Sequence, residues 1–297
     1  MKKNILTKFV SNPYIFFEFL SKKKLLNWMN DKTFLSLIFR ARMGRKLDFN
    51  NLKTYNEKLQ WLKLNDRNPL YTKLVDKYEV KKYVSQVIGE KYLIKTLGIY
   101  NSFDEINFDE LPNSFVIKCT HDSGGLVLCK DKNNLNLKKA RIKIEKSLKN
   151  NYYKVAREWP YKDIIPKIII EEYLGETNTI PEDYKFFVFN NEIDSVMVCT
   201  DRESGKTNFY FYDENWDRLI YQRPELENDD DISVPKKFDE MKNIVKKLSK
   251  EFKQIRVDLY NIDGQIYFGE LTLFNHGGFD TDITYDTDLK WGSKIQI

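Results

Sequence analysis

The amino-acid sequence predicts an α+β fold in which two lobes pack closely behind a helical N-terminal segment. Three observations carry this expectation. Runs with period-two alternation recur through the second two-thirds of the chain, amphipathic helical stretches precede and separate them, and no internal repeat or low-complexity linker divides the sequence. Hydrophobic residues make up 41% of the 297 and aromatic residues 14%, which is ample for packed cores. The net charge of +5 suits anionic ligands or an anionic membrane surface and does not indicate a nucleic-acid binder.

The first 45 residues are basic and aromatic (FVSNPYIFFEFLSKKKLLNWM, then FLSLIFRARMGRK) and read as short amphipathic helices. They fit either a helical cap on the main body or a segment lying on an anionic membrane. Residues 54–65 form an amphipathic helix, with Thr54 as cap and Glu57 three residues on. A second helix is expected over 76–88, entered at Asp76 and ended by Gly89, with a short strand within 92–100. Residues 104–111 are an acidic loop or short helix before Pro112, and 115–119 and 126–129 read as strands. A basic helix is expected over 135–150, then a buried strand, KIIIEEYL, over 167–174. Strands follow at 183–189, 193–200 and 208–212, with a polar turn at 201–206 and an acidic loop at 228–233. A long helix covers 235–252, with Phe238, Met241, Ile244, Val245 and Leu248 on one stripe.

The stretch 255–279, IRVDLYNIDGQIYFGELTLFNHGGF, reads as a hairpin. A two-residue Asp263-Gly264 turn would set Asp258 opposite Gly269 and put Asp258 and Glu270 on opposite faces. A three-residue Ile262-Asp263-Gly264 loop, with Gly264 left-handed, shifts the pairing by one. Hydrophobic matching favours the second register. It places Ile255, Val257, Leu259, Leu271 and Leu273 on one face and Arg256, Asp258, Glu270 and Thr272 on the other. Two close carboxylates repel unless a cation lies between them, and magnesium is the ion such oxygen ligands suit. The alternative is the wet face of a surface hairpin.

The loop HDSGG at 121–125 follows Lys118 and leaves backbone amides free to approach a phosphate; a plain hairpin loop is the alternative. No Gly-Lys-Ser/Thr opens a helix there. Cys119, Cys129 and Cys199 lack metal spacing and are expected as buried free thiols of a reducing cytoplasm. His121 and His276 are too far apart in sequence to indicate zinc. No signal peptide and no apolar run long enough to span a bilayer is evident, so a cytoplasmic location is expected, with any membrane contact peripheral through residues 1–45.

Taken in order, Lys118 with Gly124-Gly125, the strand ending Glu-Glu-Tyr-Leu, the Arg-x-Asp strand and the strand with Glu270 resemble the ATP-grasp fold, in which two α+β lobes hold ATP between them. TYNEKLQWLKLNDRNPLYTKLVDKYEVKKYV, PEDYKFFVFN and FYDENW are similar to one branch, the TupA-like ATP-grasp proteins of teichuronopeptide and capsular polysaccharide biosynthesis, over residues 47–278. The resemblance implies a helical N-terminal extension at 1–75, an N-terminal and small nucleotide-binding lobe at 76–170, and a C-terminal lobe with the metal-binding hairpin at 171–297. It implies Lys118 and Lys77 (or Lys81) on the ATP phosphates, with Ser123, Gly124 and Gly125 closing over them. Glu171 would accept from the adenine amino group, completed by the backbone of Tyr173 and Leu174, and Asp183 (Glu176 second) would meet the ribose. Asp258 and Glu270 would hold Mg2+, Arg256 would meet the transferred phosphoryl group, and Lys185 and Arg202 would serve phosphate or an acceptor carboxylate. One departure from the family pattern is Glu270-Leu271-Thr272 in place of Glu-x-Asn, which leaves Asn275 as the substitute ligand and the number of ions open.

The reaction so implied is an ATP-dependent carboxylate–amine ligation through an acyl phosphate. The partners would be a carboxylate-bearing sugar or glycan and a small amine or amino acid. Two other functions are weighed beside it. A glycosyltransferase using a nucleotide sugar would need an Asp-x-Asp motif, which only Asp280-Thr281-Asp282 and the run Asp229-Asp230-Asp231 supply. A scaffold of a membrane-bound assembly would use the basic aromatic N-terminus and bind no nucleotide.

Overall fold

Two antiparallel sheets organise the chain, and each takes its register from where the apolar residues fall. The computed structural model describes residues 12–175, 181–202, 205 and 207–297. Two helices come first, α1 (Ile15–Lys22) and α2 (Asp31–Met43). The Asn30 side chain caps α2 by accepting from the Thr33 N–H, and Gly44 ends it in the left-handed region. Phe34, Leu35, Ile38 and Phe39 of α2 are buried in a cluster with Leu26, Ala156 and Phe279, so this helix is a cap on the main body. No residue of α1 is buried. The expected capping box at Thr54 and Glu57 opens α3 (Tyr55–Asn65). After α4 (Leu70–Val75) comes α5 (Glu79–Ile88), entered through Asp76, whose Oδ1 accepts from the N–H groups of Tyr78 and Glu79 at 2.8 and 3.0 Å.

The smaller sheet has the order β1 (Thr96–Tyr100), β4 (Ile168–Glu172), β2 (Phe115–Cys119), β3 (Leu126–Cys129). Ile168, Ile169 and Ile170 are completely buried, the behaviour expected of an unbroken apolar run in an inner strand. Helix α6 (Leu137–Leu148) covers one face through Ala140 and Ile144. The boundary expected between residues 170 and 171 falls inside β4. Helix α7 (Tyr153–Ala156) follows α6.

The larger sheet has the order β10 (Gln265–Thr272), β9 (Gln254–Ile262), β5 (Asp183–Phe189), β6 (Glu192–Thr200), β7 (Asn208–Tyr212), β8 (Arg218–Leu219). Helix α8 (Phe238–Ser249) lies on one face, where Phe238 stacks on Phe186. Helix α9 (Tyr285–Lys294) lies on the other, where Trp291 stacks on Phe187 at 4.5 Å between ring centroids. The parity of β5 thus sends Phe186 to α8, and Phe187 and Phe189 to α9. Asp183 and Lys185, at the same parity as Phe187 and Phe189, are buried on that face as well.

The β9–β10 hairpin corrects one expectation. Ile262 pairs with Gln265, so the loop holds two residues, Asp263 and Gly264, with φ of +55° and +91°, instead of three. The register shift occurs later, at a β-bulge: Phe268 pairs with Leu259, but Glu270 pairs with Asp258. Gly269 is the extra residue, and a Cβ there would come within 3.0 Å of the Asp258 carbonyl oxygen. The predicted faces are therefore right and their cause is different. Ile255, Val257, Leu259, Leu271 and Leu273 are buried in the core, while Arg256, Asp258, Glu270 and Thr272 share the opposite face.

Candidate active site

Between the two sheets lies a cavity of about 580 Å3, within the ordinary size range for a small-molecule site. Lys118, Val116 and Glu171 line it from the small sheet; Asp183, Lys185, Asp258 and Glu270 line it from the large one. Lys77 and Lys81, on α5 and the turn before it, close one side, and Ser123, Gly125, Tyr173, Leu174 and Arg202 complete the expected lining. Of the expected site residues, Gly124, Arg256 and Asn275 do not line the cavity. Glu176 lies outside the described residues.

The floor is set by β9. Arg256 donates from Nε and Nη2 to the two Asp258 oxygens, both at 2.7 Å, and from Nη2 to Glu270 Oε1 at 3.0 Å. Lys185, directly across on β5, also donates to Asp258 Oδ2. The cation between the two carboxylates is thus the chain's own guanidinium. Burial opposes the charge on Asp258, but Arg256 and Lys185 outweigh it and hold the carboxyl well below its usual range. Lys185 also pairs with Asp183 at 2.6 Å, and Arg202 reaches the same Asp183 oxygen at 2.5 Å. Asp183 Oδ1 is buried with no hydrogen-bond partner among the described residues.

On the opposite wall Glu171 is held between two lysines, Lys118 at 2.6 Å and Lys81 at 2.5 Å. Burial raises its carboxyl, but the two ammonium groups more than offset this and it lies below its ordinary value. Burial pushes the Lys77 and Lys81 ammonium groups below the usual lysine range. The Gly loop is built tightly around Asp122. Its Oδ1 accepts from the Gly125 N–H at 3.0 Å, its Oδ2 accepts from Ser147 Oγ, and its carbonyl accepts from Lys77 Nζ. Gly125 must be glycine, because a Cβ would lie 2.5 Å from Cys119 Sγ. Ser123 and Gly124 at the tip are exposed.

Asn275 is buried away from the cavity: its Oδ1 accepts from Arg256 Nη1 at 2.5 Å and its Nδ2 donates to Asp280 Oδ2 at 2.8 Å. Asp280 also takes the Asp282 N–H on Oδ1 at 3.0 Å, so this acid of the Asp-x-Asp match is part of a buried hydrogen-bond network. His276, Asp280 and Asp282 do form a group whose ligand atoms lie within 4.8 Å of one another, but Asp280 is already engaged on both oxygens. Cys119, Cys129 and Cys199 are free and buried.

Tyr260, which was not among the residues expected at the site, also lines the cavity, and burial followed by the nearby Asp183 carboxylate pushes its hydroxyl up to about 12. Its position two residues beyond Asp258 on the same face of β9 is the signal that could have found it. Glu158 and Lys63 are a second unforeseen pair. Both are buried, Lys63 donates to the carbonyls of Ala156 and Gly277, and each has its pKa moved toward neutrality by burial, partly opposed by the other's charge.

Two antiparallel sheets closing on a cleft walled by lysines, with an Arg-x-Asp strand and an acidic neighbour as its floor, define the class as an ATP-grasp fold. A family model described as TupA-like ATPgrasp matches residues 57–296, and the chain belongs to that family. No curated protein matches it significantly. Solved structures with which it shares a likeness include the D-alanine–D-alanine ligase of Bacillus anthracis complexed with ATP, at 16% identity and a TM-score of 0.39, covering 68% of this chain and 54% of that one. Another is the D-alanine–D-alanine ligase of Helicobacter pylori, at 18% identity and a TM-score of 0.37, covering 81% and 69%. A third is the ATP-grasp ligase PsnB complexed with a phosphomimetic variant of its minimal precursor, Mg and ADP, at 11% identity and a TM-score of 0.44, covering 90% and 70%. The chain thus spans about half the length of the Bacillus anthracis ligase in its ATP complex. Among the described residues no helix is long and apolar enough to cross a membrane.

Proposed function

We propose that the protein is an ATP-dependent carboxylate–amine ligase, acting on a carboxylate-bearing sugar or glycan of a surface polysaccharide and on a small amine or amino acid. The observation that carries this reading is the bulge at Gly269, which turns Glu270 to the Asp258 side of the sheet, facing Lys118 across the cleft. Asp183 supports it from the nucleotide side: a buried carboxylate oxygen with no donor among the described residues fits a ribose hydroxyl. The apolar residues Val116, Leu126, Leu128 and Phe268 in the lining suit an adenine ring, with Glu171 and the backbone at Tyr173 and Leu174 along its polar edge.

Glu270 is the carboxylate most open to Mg2+: its Oε1 takes Arg256 and Thr272 Oγ1, and its Oε2 takes no hydrogen bond among the described residues. Asp258 stands directly across from it, with both oxygens held by Arg256 and Lys185, so that it would join the ion only by releasing one of those bonds. These are hard oxygen donors of the kind magnesium prefers. Such an ion would neutralise charge on the phosphates of ATP. A second ion finds less support, since Thr272 spends its hydroxyl on Glu270 and the Asn275 amide is committed at both ends.

In the first step a substrate carboxylate oxygen bonds to the γ-phosphorus of ATP and the bond from that phosphorus to the bridging oxygen breaks, releasing ADP. In the second an amine bonds to the acyl carbon, phosphate leaves and the nitrogen loses a proton. Arg256, buried beneath the cleft floor, holds Asp258 and Glu270 in place and adds positive charge below them. Lys118 and Lys77 position the phosphates. No nucleophile from the protein is needed.

The test is ADP release with Mg-ATP, a panel of uronic acids and uronate glycans, and a panel of amines. ADP should form only when both an acid and an amine are present. Glu270→Gln should reduce that turnover by about 100-fold or more. ADP-free transfer of sugar from a nucleotide sugar, or failure to bind Mg-ATP, would overturn the reading.

A further inference from the structure

Exposed large apolar side chains gather on α1 and the turn after it. Phe16 is 48% exposed, Phe19 52%, Leu25 58% and Trp28 81%. Scattered apolar residues on a surface are ordinary; four within the 13 residues from Phe16 to Trp28 are a concentration. Lys22, Lys23 and Lys24, all exposed, interrupt this patch between Phe19 and Leu25. Glu18 is the only acid between residues 12 and 29, and it is neutralised inside the protein by Lys22 at 3.0 Å and Arg42 at 3.6 Å. The preceding sequence adds Lys2, Lys3 and Lys8 and no acid.

We propose that α1 and the turn through Trp28 seat this protein on an anionic lipid bilayer. Phe16, Phe19, Leu25 and Trp28 enter the interfacial layer, and Lys22, Lys23 and Lys24 meet the lipid phosphates. Aromatic rings favour the headgroup level, and lysines reach phosphate while their methylene stems stay among apolar groups. Neither ingredient alone anchors firmly; an apolar helix face and a basic cluster together do. A neutral apolar partner would leave Lys23 and Lys24 without an anion, and an acidic hydrophilic one would leave Trp28 and Phe19 bare. The patch also adjoins the cleft. Lys24 donates to Asn150 Oδ1 at 3.1 Å, and the Asn150 carbonyl lies 2.9 Å from His121 Nε2 in the Gly loop. Docking would therefore bring the loop end of the cleft close to the bilayer surface. This proposal does not depend on the reaction assigned above.

The experiment is sedimentation of the full chain with vesicles of phosphatidylcholine alone or mixed with phosphatidylglycerol, in low and high salt. Binding is expected only with the anionic vesicles and should fall as salt rises. Lys22→Gln, Lys23→Gln and Lys24→Gln should each weaken it by about fivefold. Phe16→Ser, Phe19→Ser and Trp28→Ser combined should abolish it at an unchanged melting temperature, since these side chains are exposed. No binding to anionic vesicles, or binding untouched by either set of variants, overturns the proposal. So does a dimer in light scattering that the apolar variant dissociates while vesicle binding persists, because the patch would then belong to a second copy.

Discussion

Arg256 carries the charge balance of the cleft floor. It is buried, binds Asp258 through two hydrogen bonds and extends to Glu270 and Asn275. Removing one member of such a buried set strands the others at a cost of about 3–5 kcal/mol. Asp258→Asn would therefore confound catalysis with stability, since Arg256 and Lys185 would both lose their anion. Glu270→Gln is the cleaner probe, because the Glu270 side chain is 45% exposed and the change should cost only about 0.5 kcal/mol in denaturant unfolding. Lys77 and Lys81 make a separate prediction. Burial lowers both pKa values, so in the free protein each loses its proton at a lower pH than an ordinary lysine. Phosphate beside them would favour the charged form and raise the values again, so binding takes up protons. ATP affinity should thus fall as pH rises through their lowered values toward 10.5, the ordinary value. Calorimetry in buffers of different ionisation enthalpy should detect that uptake at alkaline pH and less of it near neutrality.

The hairpin β9–β10 depends on one glycine. Gly269 sits in the bulge with 3.0 Å from its would-be Cβ to the Asp258 carbonyl oxygen and 3.3 Å to the Tyr260 ring. Gly269→Val should crowd both, displace Glu270 from Asp258, cost about 1–3 kcal/mol in unfolding and lower ADP release. Unchanged activity in that variant would detach the bulge from function. The faces of this hairpin were legible because Leu271 and Leu273 must join Ile255, Val257 and Leu259 in the core, whatever device aligns them. The device was not legible: a loop of three residues and a loop of two followed by a bulge give the same faces, and only backbone pairing distinguishes them. The capping box at Thr54, the stripe on α8 and the buried run in β4 could be read for a similar reason, since each is a local pattern with one physical solution. Lys63 opposite Glu158, and Asn275 between Arg256 and Asp280, depend on contacts between segments far apart in sequence, and no spacing announces them.

At the scale of the whole molecule, the early and late parts of the chain close on each other. Arg45 donates to Glu57 at 2.5 Å and to Asp288 at 2.7 Å, while Asp288 Oδ1 accepts from the Asn56 N–H at 2.8 Å and its side-chain amide at 3.0 Å. The Lys58 ammonium donates to the Ile295 carbonyl at 2.7 Å, and Gly292 packs so tightly on the Lys53 carbonyl that a Cβ would lie 2.2 Å from it. Asp288→Ala should therefore lower the unfolding free energy by about 3 kcal/mol, measurable in urea, although it lies outside the cleft. An effect confined to the C-terminal helix would mean that the two ends unfold independently.

That closure bears on how the protein is made. The first turn of α3 is satisfied in part by a carboxylate 232 residues further along. During synthesis α3 emerges early and must wait, its Tyr55, Leu59 and Leu62 unsheltered, until Asp288 and Trp291 clear the ribosome. A chain halted before residue 285 would carry every lysine and carboxylate assigned to the cleft and still lack the piece that seals the large sheet. Such nascent chains would be the ones exposed to chaperones and proteases for longest, because pairings so distant in sequence form late.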